Sequence, residues 1–264
     1  MSSTVASDSY PPYFYCHPQN YSFSAKMTVF CDLDGPIVDV SERYYTTYQL
    51  ALADTQATYQ TQGISIDTQQ LTKQQFWEMK RERIPDAEIA KNSGLQGSQI
   101  DAFRRCVGEI VNRSDLLHLD RIQPGVQWAI ALLHSHGVRL VLVTLRSQHQ
   151  AAQLLQNYGL ARLFTCIRGT QVTDAAYNNY ANLKTRLLDE VVEELGSLMG
   201  SAWMIGDTEA DILAGQALGI PTIGLTCGIR STTQLQKFQP TNILNDLICT
   251  AHHLLECSKL IGNW

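Results

Sequence analysis

The sequence has no Cys-x-x-Cys pair, no excess of basic charge, and no apolar run near the ~18 residues that a membrane span needs. Each absence removes a class of protein. The seven cysteines (Cys16, Cys31, Cys106, Cys166, Cys227, Cys249, Cys257) are odd in number and scattered, so neither a disulfide framework nor a zinc site is expected. Lys and Arg number 20 against 25 Asp and Glu, a formal net charge of −5, which excludes a nucleic-acid partner held by a general basic surface. No basic residue precedes Lys26 and no apolar core follows one, so no secretory signal is expected. Reduced thiols in a cytoplasmic protein with no membrane partner are the simplest expectation. Charge of either sign is scarce, 17% of residues, and Gln, Thr, Ser and Asn fill the polar quota. What remains is ordinary for a folded chain. Hydrophobic residues make up 44% of 264 positions, enough for one large domain or two small ones.

Residues 1–26 are rich in Ser, Tyr and Pro, show no periodicity, and read as an irregular arm. Regular structure begins at Thr28-Val29-Phe30-Cys31, a short apolar run that stops at Asp32-Leu33-Asp34-Gly35-Pro36, as a buried parallel strand does at a functional loop. Similar runs span 139–144 and 202–206, with weaker ones at 163–167, 221–225 and 242–244. Helical patterns separate them. Val126, Ala129, Ile130 and Leu133 share one face before Gly137; Ala151, Leu154, Leu155 and Tyr158 follow a candidate N-cap at Ser147 and end at Gly159; Leu187, Leu188, Val191, Val192 and Leu195 end at Gly196. Alternating strands and helices predict an α/β fold with a doubly wound parallel sheet. The alternation lapses over 41–120, where Tyr44, Tyr45, Tyr48 and Leu52, then Phe76 and Met79, then Ile100, Phe103, Val107 and Ile110 repeat at helical spacing. A segment that long is no loop and predicts a separate helical subdomain. The expected layout is therefore an arm over 1–26, a core over 27–40 and 121–264, and a helical insert over 41–120. There is no internal repeat.

Open parallel sheets bind ligands beyond the carboxyl ends of their strands. Those ends carry Asp32 and Asp34, Thr144, and Asp207, with Asp211 one helical turn further on. Oxygen donors at that density select a hard cation, Mg²⁺ foremost. Beside such a metal, one carboxylate can attack phosphorus and form an acyl phosphate. A lysine or hydroxyl can offset equatorial charge. A second carboxyl can protonate the leaving oxygen and then deprotonate water. The bland readings are weaker. As a calcium loop, the Asp32 segment needs a Glu at its twelfth position and has Arg43 there. Gly206-Asp207-Thr208-Glu209-Ala210-Asp211 could be a capped helix start on its own, but not together with Asp32 and Asp34.

Asp32-x-Asp34-Gly35, Thr144 after an apolar strand, a downstream lysine and Gly206-Asp207-x-x-x-Asp211, in that order, resemble the haloacid dehalogenase-like hydrolase superfamily. The likeness spans residues 28 to about 250, and the insert resembles a C1-type cap. The resemblance implies a Rossmann-like core with a helical cap and a Mg²⁺-dependent phosphatase of the phosphoglycolate phosphatase-like kind, acting on a small phosphorylated metabolite. It implies Asp32 as nucleophile and Asp34 as general acid/base whose backbone carbonyl also reaches the metal. Thr144 would bond the phosphoryl group, and Asp207 and Asp211 would be metal ligands. Lys184, the one lysine between Thr144 and Asp207, would take the phosphate-clamping role. Asp34 counts against dehalogenation and phosphonate cleavage, whose family members lack this acid. One position departs from the pattern: Pro36 stands where the family has Thr or Val, and proline brings no backbone N–H to the loop.

Two alternatives share these residues: a phosphosugar mutase of the β-phosphoglucomutase type, and a phosphate-binding regulatory relative with impaired turnover. Oligomeric state leaves no mark. Trp77, Lys80, Arg81 and Arg83 in the insert read as a solvated helix face rather than an anion site, whereas Arg146, two residues past Thr144, is placed to face the pocket. The expected site of four carboxylates and Lys184 carries a net −3 that Mg²⁺ would reduce to −1, so a phosphate ester needs the cation there.

Overall fold

β1 (Met27–Cys31) is buried at every position and lies third in a sheet of six strands. In the computed structural model, which describes residues 27–171, 175, 181–196 and 201–261, the other strands are β4 (Arg139–Ser147), β5 (Cys166–Thr170), β6 (Ser201–Gly206), β7 (Thr222–Leu225) and β8 (Asn242–Leu244). The arm expected over 1–26 lies outside the described residues. The order is β5-β4-β1-β6-β7-β8 with every pairing parallel, so the Rossmann-like doubly wound core is as expected.

Burial of both faces is why these strands read as unbroken apolar runs. Val29, Cys31, Leu140, Leu142 and Ile205 face one layer, which includes Val126, Ala129, Ile130 and Leu133 of α5 (Val126–Ser135) and Ala251 and Leu254 of α9 (Leu247–Ile261). The intervening Phe30, Val141, Val143 and Met204 face the other. There they meet Leu187, Leu188 and Val191 of α7 (Ala181–Leu195) and Ala210 and Ala214 of α8 (Glu209–Ala217). Two expectations shift. The strand foreseen at 163–167 begins later, at Cys166, because Ala161–Leu163 closes into a 3-10 turn. Ser147 stands at the N-cap of α6 (Gln148–Asn157) without a side-chain capping bond; it still belongs to β4, opposite Thr170 of β5.

Every long element between the first strand and residue 120 is helical, as the spacing predicts: α1 (Ser41–Thr61), α2 (Lys73–Arg81), α3 (Asp86–Asn92), α4 (Ser98–Ile110) and a 3-10 helix over Ser114–Leu119. Tyr48 centres this insert. Its ring stacks on Phe76 at 5.1 Å and meets Phe103 edge-on at 6.1 Å. Its hydroxyl shares a 2.8 Å bond with Ser93 Oγ and accepts the Leu71 N–H at 2.8 Å, so the buried oxygen is satisfied. A short ladder not foreseen from sequence closes the insert at its base. β2 (Val38–Asp39) pairs antiparallel with β3 (Arg121–Ile122), and two residues per strand are too few to show a period. The chain thus leaves and re-enters the core side by side.

Candidate active site

Asp32 follows β1 directly, and its N–H donates to the Ile205 carbonyl at 2.9 Å. Because Cys31 pairs with Ile205, Asp32 and Asp207 leave neighbouring central strands almost level. Asp211 stands in the first turn of α8. Its Oδ2 accepts the Thr208 N–H at 3.1 Å and the Thr208 hydroxyl at 2.9 Å. That bond orients the carboxylate and leaves Oδ1 facing inward. Lys184, in the first turn of α7 and only 1% exposed, places Nζ 2.8 Å from Asp211 Oδ1 and 2.8 Å from Asp32 Oδ1. Oxygens of Asp32, Asp207 and Asp211 all lie within 4.8 Å of one another.

Three glycines make room for this cluster. A Cβ at Gly35 or Gly228 would sit 2.2 or 2.0 Å from the Asp207 carboxylate, and one at Gly206 would sit 2.0 Å from Asp211. Gly35 also has φ +99°, which L-residues rarely adopt. Asp207 Oδ2 accepts the Ile229 N–H at 2.5 Å, whereas its buried Oδ1 meets no donor among the described residues.

Burial drives the electrostatics. It pushes the Asp32 carboxyl up to about 7; Lys184 opposes the shift, and Asp211 and Asp34 add to it. Asp207 is held well above its ordinary range by burial and then by Asp211 and Asp32, against the pull of the Ile229 N–H. Burial works against the Lys184 ammonium, but Asp211 and Asp32 outweigh it and raise the group above its ordinary value. Three carboxylates against one lysine, all-oxygen donors and an orphaned Asp207 oxygen fit a hard divalent cation of the Mg²⁺ kind, with Asp32, Asp207 and Asp211 as the residues that would hold it.

The structure places the remaining expected residues around this cluster. Thr144 is buried two positions beyond Leu142, the strand partner of Cys31, and its hydroxyl accepts the Arg146 N–H at 3.1 Å. Asp34 turns its side chain elsewhere. Arg43 Nη2 stands 3.3 Å from Asp34 Oδ2, and Arg146 Nη2 stands 2.7 Å from Oδ1. The same two guanidiniums hold Asp120, at 2.8 Å from Arg43 Nε and 2.7 Å from Arg146 Nη2. The Arg146 contacts are charge pairs at close distance whose N–H directions miss hydrogen-bond alignment. Sequence reasoning pointed to Arg146 but missed Arg43 and Asp120, which lie 77 residues apart in no motif.

The basic cluster of the insert is not a solvated face. Arg81 donates to the Thr226 and Gly228 carbonyls at 3.1 and 3.2 Å, across the divide between insert and core. Arg83 Nε pairs with Glu209 at 2.9 Å, as does Arg230 Nε. Trp77 packs against the hydrophobic core and lies edge-on to Tyr44 at 6.4 Å. These side chains seat the insert on the loop after β7 and on the start of α8.

The family model for haloacid dehalogenase-like hydrolases matches residues 26–219. A protein named phosphoglycolate phosphatase from Agrobacterium fabrum is 24% identical over 236 residues, 88% of this chain and 92% of its own length. Ones of the same name from Neisseria gonorrhoeae and Salmonella typhimurium are 31% and 30% identical over 49% and 55% of this chain, and 52% and 55% of their own lengths. The chain spans about half the length of most of the curated relatives it matches. Among solved structures, a haloacid dehalogenase-like family hydrolase from Streptococcus pneumoniae superposes with a TM-score of 0.59 at 17% identity, covering 88% of this chain and 100% of that one. A superfamily hydrolase of subfamily IA from Geobacter sulfurreducens gives 0.56 at 18% identity, covering 92% and 99%. With its motifs at the ends of the central strands and the family model matched over most of its length, the chain belongs to the haloacid dehalogenase-like hydrolases.

Proposed function

We propose that this chain is a Mg²⁺-dependent phosphatase acting on a small phosphomonoester through an aspartyl-phosphate on Asp32, with residues 41–120 as its cap. The observation that carries the reading is Lys184, buried at the start of α7 with Nζ 2.8 Å from both Asp32 and Asp211. A fully buried ammonium held between two carboxylates at the carboxyl ends of the central strands is costly unless it serves the site. Asp32 is the nucleophile: its carboxylate attacks phosphorus and the ester oxygen departs. Lys184 and the Thr144 hydroxyl meet the charge on the equatorial oxygens. Asp34 gives the leaving oxygen a proton and takes one from the water that opens the acyl phosphate. Asp32, Asp207 and Asp211, with the Asp34 backbone carbonyl, would hold the cation, which when bound offsets phosphoryl charge and orients the ester. The substrate class is a small phosphorylated metabolite, and the names of the Neisseria and Salmonella relatives make 2-phosphoglycolate the first ester to try.

The purified chain should release inorganic phosphate from at least one ester of a broad panel in the presence of Mg²⁺, and Asp32→Asn should abolish the release. Silence across the whole panel would leave the regulatory, phosphate-binding reading in its place. Pro36 does not open the loop: the Gly35 N–H donates to the Val38 carbonyl at 2.8 Å, and the Ile37 and Val38 N–H groups donate to the Leu33 carbonyl at 3.1 and 3.0 Å.

A further inference from the structure

The peptide unit between Gly228 and Ile229 is engaged at both ends. Its N–H, from Ile229, donates to Asp207 Oδ2 at 2.5 Å. Its carbonyl, from Gly228, accepts from Arg81 Nη1 at 3.2 Å, and the same nitrogen reaches the Thr226 carbonyl at 3.1 Å. No peptide bond among the described residues is cis. A trans peptide is planar and its N–H and C=O point in opposite directions, so the two partners face each other across one rigid plate. One partner is a carboxylate of the candidate cation site. The other is the last residue of α2, in the insert.

Up to Cys227 the loop is tied to the core alone. The Thr226 and Cys227 N–H groups donate to the Leu244 and Asn245 carbonyls at 3.0 and 2.9 Å, and Gln123 Nε2 bonds the Cys227 carbonyl at 3.2 Å. Beyond it the hold comes from the insert. Arg81 bonds the Gly228 carbonyl with its side chain and accepts the Ser231 N–H at 3.1 Å with its own carbonyl, so it grips the loop on both sides of Ile229. Glycine at 228 allows the close approach to Asp207, but it also leaves the backbone freer than any other residue would. An outside tie therefore matters at that peptide. A guanidinium on the carbonyl also polarises the peptide and makes its N–H a stronger donor to the carboxylate. With Oδ2 held in this way, Oδ1 is the Asp207 oxygen left for a cation. We infer that Arg81 is a positioning residue for Asp207: through the Gly228–Ile229 peptide it fixes the donor that orients the carboxylate, and the cation site is tightest when the insert is seated. The inference rests on the reading of Asp32, Asp207 and Asp211 as a divalent-cation site. By linkage, a cation that prefers the seated form favours seating by the same factor.

The first test needs no metal. In EDTA the Ile229 amide proton should resonate far downfield, as a donor to a carboxylate; Arg81→Met should move it upfield, and Arg81→Lys should move it less. In calorimetric titration without substrate, Arg81→Met should weaken Mg²⁺ binding by about fivefold or more, approaching the loss seen when a group that orients a metal ligand is displaced. Arg83→Met removes a different contact between insert and core, the half-exposed pair with Glu209. It should leave the Ile229 proton in place and Mg²⁺ affinity within about twofold of wild type. In the wild-type protein, saturating Mg²⁺ should slow hydrogen exchange of the Ser231 amide, a measurement that stands even if Arg81→Met does not fold. An Ile229 proton that stays put in folded Arg81→Met overturns the inference. Where the wild type binds Mg²⁺, unchanged affinity in Arg81→Met, an equal loss in Arg83→Met, or Ser231 exchange indifferent to Mg²⁺ overturns it too. A wild type that binds no Mg²⁺ overturns the cation reading instead, and the Ile229 proton in EDTA then decides the link from Arg81 to Asp207 by itself.

Discussion

Lys184 does at the level of one side chain what the site needs before any ligand arrives: it pairs with Asp32 and Asp211 in a place water does not reach. Removing it leaves two buried carboxylates without their cation. Lys184→Met should therefore lower the unfolding free energy of the metal-free protein by about 3–5 kcal/mol, the cost of breaking a buried pair from one side. Urea denaturation in EDTA measures this. A loss below about 1 kcal/mol, the range of an exposed pair, would show that water screens the site. Asp32, Asp34, Thr144, Asp207 and Asp211 were read from strand ends and the helix start that follows, whereas Lys184 came from the resemblance, as the one lysine between Thr144 and Asp207. Arg43 and Asp120 were read from neither. Arg43 entered the sequence argument only as the residue that spoils a calcium loop, and nothing local to Asp120 separates it from other loop aspartates.

At the level of elements, the loop after β7 brings Gly228 and Ile229 against Asp207, so backbone shapes the candidate cation site as much as side chains do. A methyl group at Gly228 would overlap the Asp207 carboxylate, its Cγ and its Cβ, more than rotation of the carboxylate end alone can relieve. Gly228→Ala should keep the fold and weaken Mg²⁺ or Mn²⁺ binding by about tenfold or more, the range seen when a group that orients a metal ligand is displaced. Calorimetric titration of the metal checks it, and unchanged affinity would place the cation away from Asp207. The same loop receives the insert. Arg83 is half exposed where it meets Glu209, whereas Arg230 approaches the same carboxylate from a largely buried position, so Arg230 contributes more to fixing Glu209. Helical periodicity placed Phe76 and Met79 on a helix, which carries Trp77, Lys80 and Arg81 and ends before Arg83. It was silent on what faces that helix, because polar residues look alike whether they meet water or another surface.

Over the whole molecule, Arg43, Arg146 and Asp120 revise the charge expected at the pocket. Five carboxylates and three cationic side chains carry a net −2, which one divalent cation would cancel. This makes stability depend on pH and metal together. Burial raises the Asp32 carboxyl from 3.8 to about 7, and Asp207 is raised as well. A folded-state value above the unfolded one means the native protein binds the extra proton. The metal-free protein therefore has this contribution in full below about pH 4 and loses it progressively as pH rises to about 7. A cation that binds the ionised carboxylates restores it. The rise in Tm produced by MgCl₂ should thus be small at pH 5 and larger at pH 8, and a rise independent of pH would show that the cluster does not hold the metal.

What the chain specifies locally could be read without coordinates: apolar runs with both neighbours buried, glycine stops after Ser135, Asn157 and Leu195, and oxygen donors where strands end. These depend on contacts within a few residues, and physical periodicity records them directly. The sheet order, the β2–β3 closure, the docking of Arg81 and Arg83 on the core and the ring around Asp34 were decided only in three dimensions. Each joins segments tens of residues apart, and a pairing of that kind leaves no period in one sequence. The oxygen donors of the candidate site were thus written along the chain. The side chains that surround Asp34 meet only where the chain crosses twice between core and insert, at Arg43 and Asp120, and where β4 ends at Arg146.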